Sequence, residues 1–247
     1  MASASAGASA NADLPEFRDD EMVKWKAISL THVDYPEGDI FGFLLACSSL
    51  LPVFILGSFF TLIIFRRDLH TICYFAGLIL NESVNWVTKH IIKEPRPRAR
   101  SVLHTEYGMP SSHSQFMWFF ATYLVFFLFI RVHRNNKFVD ELWKYATLTF
   151  VFSLATAVGY SRIYLGYHTF RQVFWGAVLG AILGALWFSI VQLVCTPFFP
   201  LIAAWPISEY LMIRDSTLIP NVMWFEYTSH RTESRSRLRK QGSWKSS

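Results

Sequence analysis

Three short stretches of this sequence carry residue types suited to handling phosphate. Lys89 is followed by six residues and then by Arg96-Pro97. Pro110-Ser111-Ser112-His113 comes next, and Ser161-Arg162, five residues and His168 complete the set. Phosphoryl transfer spreads negative charge over equatorial oxygens, so it needs fixed cations and hydrogen-bond donors. Lys89, Arg96 and Arg162 can supply the cations, the arginines as planar forks that match phosphate oxygens. Ser111 and Ser112 can add hydroxyl donors, and a helix starting there adds backbone N–H groups at its positive end. His113 and His168 titrate near working pH, which is enough for one nucleophile and one general acid.

Each stretch also has a plainer reading. Lys89, Arg96, Arg98 and Arg100 could be cations snorkelling to a membrane interface. Pro110-Ser111-Ser112 could be an ordinary helix start with a serine cap. Ser161-Arg162 could be a helix end, and His113 and His168 satisfied interface histidines. His32, His70, His90, His104, His133 and His230 are read as structural or solvated. Glu82 is either a partner for a site cation such as Lys89 or a helix-packing group.

The elements that must position these residues are membrane spans. Of the 247 residues, 52% are hydrophobic and 17% aromatic. The apolar residues come in long, nearly uncharged blocks, where a soluble helix would show a stripe. The blocks run over about 39–65, 69–92, 114–130, 143–160 and 170–194. Pro52 is expected to kink the first. The second is diluted by Asn81, Glu82, Asn85 and Lys89, which should face a protein interior or a wet cavity. In the fifth, Gly176, Gly180 and Gly184 lie four apart on one helix face and allow close helix contact. Beyond Cys195, Pro197, Pro200, Pro206 and Pro220 break the chain into interfacial or re-entrant pieces.

Chain direction brings the exit of span two to the entry of span three, and the exit of span four to the entry of span five. All three stretches then fall at one membrane face. The links after spans one and three carry Arg66, Arg67, Arg131, Arg134, Lys137 and Lys144, so the positive-inside rule puts that side in the cytosol and the three stretches opposite. This gives four segments: 1–38, an N-terminal lumenal segment; 39–195, the transmembrane catalytic domain; 196–228, the proline-broken segment; and 229–247, a disordered basic cytosolic tail.

The net charge of +5 does not indicate nucleic acid, because no soluble basic face exists. Cys47, Cys73 and Cys195 all fall inside apolar blocks and read as buried thiols. The start of the chain lacks the basic and apolar runs of a cleavable signal peptide. The site stretches lack the carboxylate clusters of a Mg²⁺ site, so no metal or other cofactor is expected.

The three stretches together resemble the signature of the phosphatidic acid phosphatase type 2 superfamily. That signature reads Lys, six residues, Arg-Pro; Pro-Ser-Gly-His; then Ser-Arg, five residues, His, three residues, Asp. Ser112 stands here where Gly is usual, and Gln172 where Asp is usual. The resemblance implies an all-α transmembrane bundle with His168 as nucleophile forming a phosphohistidine. It makes His113 the acid that protonates the leaving oxygen. Lys89, Arg96, Ser111, Ser112 and Arg162 would bind the phosphate, and Gln172 would orient His168 without supplying charge.

The stretches LTHVDYPEGD, RDLHT, LNESVNW, YGMPSSHSQFMWFF, SRIYLGYHT, LIAAWPISEY and IRDSTLIPNVMWFEY narrow the likeness to the dolichyldiphosphatase family. Gln at position 172 fits that family. The resemblance implies hydrolysis of dolichyl diphosphate to dolichyl phosphate and inorganic phosphate at the lumenal face of the endoplasmic reticulum, recycling the lipid carrier for protein N-glycosylation. The implied partners are that lipid and the surrounding membrane, with no nucleic acid and no obligate protein partner. The alternatives are another lipid phosphate phosphatase of the superfamily, or a membrane scaffold with a degenerate site.

Overall fold

The apolar blocks are helices, because a chain in lipid must satisfy its backbone hydrogen bonds internally. The computed structural model describes residues 25–28, 33–97, 107–131, 138–219 and 222–245. Most of the N-terminal segment lies outside these, as do Arg98, Arg100, Arg134 and Lys137 and the histidines at 32, 104 and 133. The first apolar block divides into α1 (Ile40–Ser48) and α2 (Leu51–Arg66). Pro52 stands in the first turn of α2, where its missing N–H removes no helical bond. The second block is α3 (Leu69–Ile92), started by the Asp68 side chain, which accepts from Thr71 N at 3.1 Å. The third is α4 (Ser112–Phe126), continued by a π-helical turn over Phe127–Arg131. The fourth and fifth are α5 (Phe138–Tyr164) and α6 (Phe170–Ile190).

Among the described residues, four helical stretches are long and apolar enough to cross a membrane: Ile40–Arg66, Ser112–Arg131, Glu141–Tyr164 and Phe170–Ala203. Helix α3 has the length, at about 1.5 Å per residue over 24 residues, but less apolar character. Two of its polar residues, a turn apart, face inward. Asn81 and Asn85 are buried, and both bond to Gln115 of α4: Gln115 Nε2 donates to Asn81 Oδ1 at 3.0 Å, and Asn85 Nδ2 donates to Gln115 Oε1 at 2.7 Å. Large apolar side chains such as Phe54, Phe60, Phe150 and Leu186 line the outside, as in a bundle dissolved in lipid.

The core lies between α2, α3, α4, α5 and α6, around Phe59, Tyr74, Leu78, Phe116, Phe119, Tyr123, Val158 and Phe188. Its tightest seam joins α4 to α6. A Cβ at Gly180 would sit 2.2 Å from Gln115 O, and one at Gly176 or Gly184 would sit 2.8 Å from Ser111 O or Phe119 O. The four-residue spacing of these glycines therefore lets two backbones touch.

The structure adds one element on which the sequence expectation is silent and departs from it at another. Part of the N-terminal segment forms an antiparallel hairpin, β1 (Trp25–Ile28) with β2 (Val33–Pro36). The basic tail expected to be disordered is helical. After the short helices α7 (Phe199–Ala203) and α8 (Pro206–Tyr210), α9 spans Val222–Lys245 and crosses the expected boundary at residue 229. No proline or glycine interrupts it before Gly242, and Glu233 pairs with Arg237 one turn on at 2.7 Å. Most of α9 is exposed, so its charges are solvated while the chain is helical.

Candidate active site

Four helix ends meet at one end of the bundle. Helix α3 closes with Lys93 in the left-handed conformation (φ 53°), its N–H bonded to Lys89 O. The chain then runs through Glu94, Pro95 and Arg96. Gly108 N donates to Glu94 O at 2.7 Å and so brings the chain back to the start of α4. Asn85 Nδ2 donates to Pro110 O, linking that start to α3. Ser111 is the N-cap of α4, yet its side chain makes no capping bond. Its Oγ is buried and has no partner among the described residues. Ser112 and His113 follow, both half-buried in the first turn.

Helix α5 delivers Ser161 and Arg162. The turn to His168 passes through Gly166 at φ 74°, a conformation that glycine adopts freely. Tyr167 N and His168 N both donate to Arg162 O, at 3.0 and 3.1 Å. The Arg162 guanidinium lies 4.2 Å from the centre of the Tyr167 ring, and the Tyr167 hydroxyl accepts from Asp34 N of β2 at 2.8 Å. Arg162 is 6% exposed. Its Nε and Nη1 are buried with no partner among the described residues. Buried donors of this kind usually have a partner, and an anion such as phosphate would provide one.

His168, 3% exposed, is held through Gln172, which is wholly buried. Thr169 caps α6 in a capping box: Gln172 N donates to Thr169 Oγ1, and Thr169 N donates to Gln172 Oε1. The Gln172 amide nitrogen donates to Glu94 Oε1 and Pro95 O, both at 3.0 Å. These partners leave one amide orientation. The amide oxygen must face His168 Nδ1, at 3.2 Å, and Gly108 O also lies 2.9 Å from that atom. Both neighbours can only accept, so Nδ1 carries the hydrogen and Nε2 keeps its lone pair. Gly108 has no room for a side chain, since its Cβ would meet Gln172 Nε2 at 2.8 Å.

Burial drives the His168 ring down to about 3, and the positive charges of Arg162, Arg96 and Lys89 push the same way against the Gln172 bond. The imidazole is therefore neutral, a base with one free nitrogen. His113 lies within electrostatic reach of His168, Arg162, Lys89 and Arg96. The structure thus brings Lys89, Arg96, Ser111, Ser112, His113, Arg162, His168 and Gln172 to one end of the bundle. Sequence reasoning missed Glu94, the Gly108 carbonyl and Tyr167. Glu94 alone had a visible signal, as an acidic residue inside the basic Lys89–Arg96 interval.

Residues 70–194 match the sequence profile of the PAP2 superfamily. The chain belongs to the PAP2 superfamily. It is 54% identical over 222 residues to Dolichyldiphosphatase 1 of Mus musculus, across 88% of this chain and 93% of that protein. It is 42% identical to Lipid phosphate phosphatase gamma of Arabidopsis thaliana, across 83% of this chain and 91% of that protein. A crystal structure of a transmembrane PAP2-type phosphatidylglycerolphosphate phosphatase from Bacillus subtilis shares the fold. It has a TM-score of 0.52 and 20% identity, covering 62% of this chain and 78% of that one. This PAP2 chain is a phosphatase of the membrane, crossing it several times.

Proposed function

We propose that this chain hydrolyses dolichyl diphosphate to dolichyl phosphate and inorganic phosphate at the lumenal face of the endoplasmic reticulum, renewing the lipid carrier for N-glycosylation. The substrate assignment follows the 54% identity to a dolichyldiphosphatase. One observation carries the mechanism: a buried neutral imidazole whose Nδ1–H is spent on two acceptors, leaving Nε2 free.

In this reading the terminal phosphate lies against Arg162 and the Ser111 hydroxyl, whose buried donors it would satisfy, with Lys89, Arg96 and Ser112 adding charge and hydrogen bonds. His168 Nε2 attacks the terminal phosphorus. A phosphorus–nitrogen bond forms as the bond to the bridging oxygen breaks, and His113 gives that oxygen its proton. Dolichyl phosphate leaves. Water then gives its proton to His113 and attacks the phosphohistidine, releasing inorganic phosphate and restoring the neutral ring. The lumenal placement rests on the basic links and tail at the opposite end of the bundle.

Phosphate release by detergent-solubilised protein tests this, with dolichyl diphosphate and phosphatidate compared for the parent and His168→Ala. Dolichyl diphosphate should be the preferred substrate, and His168→Ala should lose activity by at least about 10³-fold. A fully active His168→Ala would end the mechanism. Preference for phosphatidate would favour a second reading, a general lipid phosphate phosphatase, to which the Arabidopsis relative lends weight.

A further inference from the structure

Gln172 lies between an imidazole and a carboxylate. Its oxygen accepts from His168 Nδ1–H at 3.2 Å, and its nitrogen donates to Glu94 Oε1 at 3.0 Å. The amide is fully buried, so water screens this chain little. A carboxylate on the N–H side of an amide polarises it and makes the far oxygen a stronger acceptor. Charge placed at Glu94 is thus felt at the His168 ring through one bridging group. The demand for it changes during the reaction read above, because a ring phosphorylated at Nε2 and still protonated at Nδ1 is cationic. Negative charge behind Gln172 steadies that state more than the neutral ring, which is the condition for acceleration.

We propose that Glu94 is a positioning residue for His168, supplying through Gln172 the negative charge that the amide itself lacks. The inference rests on His168 being the nucleophile. Glu94 also acts through its main chain: its carbonyl holds Gly108 N at 2.7 Å, and the Gly108 carbonyl accepts from His168. Its second carboxylate oxygen meets Arg171 Nη2 at 2.9 Å. That pair is open to water, with the Arg171 side chain 71% and the Glu94 side chain 25% exposed, so the ion pair itself contributes little.

The test measures kcat and KM for dolichyl diphosphate with the full-length chain in detergent. Glu94→Gln keeps an acceptor for the Gln172 amide and removes only the charge. It should lower kcat about 10- to 100-fold, the usual scale for groups that orient a ligand histidine, with KM moving less than about threefold. Gln172→Glu alone sets two carboxylates side by side and should also be slow. Gln172→Glu combined with Glu94→Gln restores one negative charge in the chain and should recover at least about tenfold over Glu94→Gln. Arg171→Leu, which breaks only the exposed ion pair, should stay within about threefold of the parent. A Glu94→Gln enzyme with the parent kcat, a double variant no faster than Glu94→Gln, or an Arg171→Leu enzyme as slow as Glu94→Gln would overturn the assignment. His168→Ala separates the two readings. If it is inactive while Glu94→Gln is fully active, only the role of Glu94 falls; if it is active, the nucleophile reading falls as well.

Discussion

A histidine that must stay neutral inside a ring of cations makes the folded state sensitive to acid. The unfolded imidazole titrates near 6.5 and the folded one near 3, so between those values the unfolded chain binds the additional proton. Stability therefore rises with pH across that window: the contribution of the neutral ring is complete above about pH 6.5 and declines as pH falls toward 3. At pH 5 the loss from this group is about 2 kcal/mol, at about 1.4 kcal/mol per pH unit. The groups acting on the ring are Arg162, Arg96 and Lys89 against it, and Gln172 in its favour. Thermal unfolding at pH 7.5 and pH 5 should show a larger fall in Tm for the parent than for His168→Asn, which has no such group to charge. Equal falls would mean that His168 is not held neutral. Much of this neighbourhood was legible in the sequence, because Lys89, Arg96, Ser111, His113, Arg162 and His168 sit at helix ends that chain direction brings together. The tautomer of His168 was not legible. It depends on a main-chain carbonyl at Gly108 and on an amide whose orientation is set by Glu94 and Pro95, and neither leaves a mark in residue spacing.

Helix α6 shows how far an element can be read in advance. The spacing of Gly176, Gly180 and Gly184 identified a face made for close approach, and each glycine meets α4 backbone. The sequence held no information on which helix would lie there, since small residues state the distance to a partner and not its identity. This seam sets the reach between Ser111 and His113 on α4 and His168 just before α6, so its spacing is also the spacing of the candidate site. Gly180→Ala must separate the two helices, because its Cβ would meet Gln115 O at 2.2 Å. Overpacking of this kind costs about 1–3 kcal/mol, and kcat should fall well below half the parent value. Gly57→Ala in α2 meets nothing within 4 Å and should be neutral, or stabilising by up to about 1 kcal/mol. Unfolding midpoints and phosphate release of the two variants side by side check the contrast; a harmless Gly180→Ala would mean that α4 and α6 sit farther apart. The tail was the opposite case. Its charge pattern predicts a disordered segment, but the same Arg, Glu and Lys residues are good helix formers, and composition alone could not separate a solvated coil from the exposed helix α9.

At the scale of the whole molecule the two ends of the bundle differ in kind. One end holds Lys89, Arg96, Arg162 and the two histidines. The other holds Arg66 and Arg67 at the end of α2, Arg131 after α4, and Arg214, with α9 adding Arg231, Arg235, Arg237, Arg239 and Lys240. At that second end Arg66 and Arg214 both pair with Glu226 of α9, at 3.2 Å, and Leu69 N and Arg214 N exchange main-chain bonds with Arg214 O and Arg67 O. These contacts join α9 to the basic end, so the charges of the links and of the tail count on the same side. Cations within short links resist translocation, and here the number outside the candidate site favours the α9 end staying in the cytosol. On the proposed topology the candidate site would open to the lumen. The prediction is a topology in which the candidate-site end of the bundle is lumenal and the end that carries α9 is cytosolic. An N-glycan acceptor inserted within residues 98–106 should be glycosylated when the chain is expressed in cells, and the same acceptor appended after Ser247 should not. The reverse pattern would place the site on the cytosolic face and would remove the lumenal step from the proposed function, while leaving the chemistry at His168 untouched.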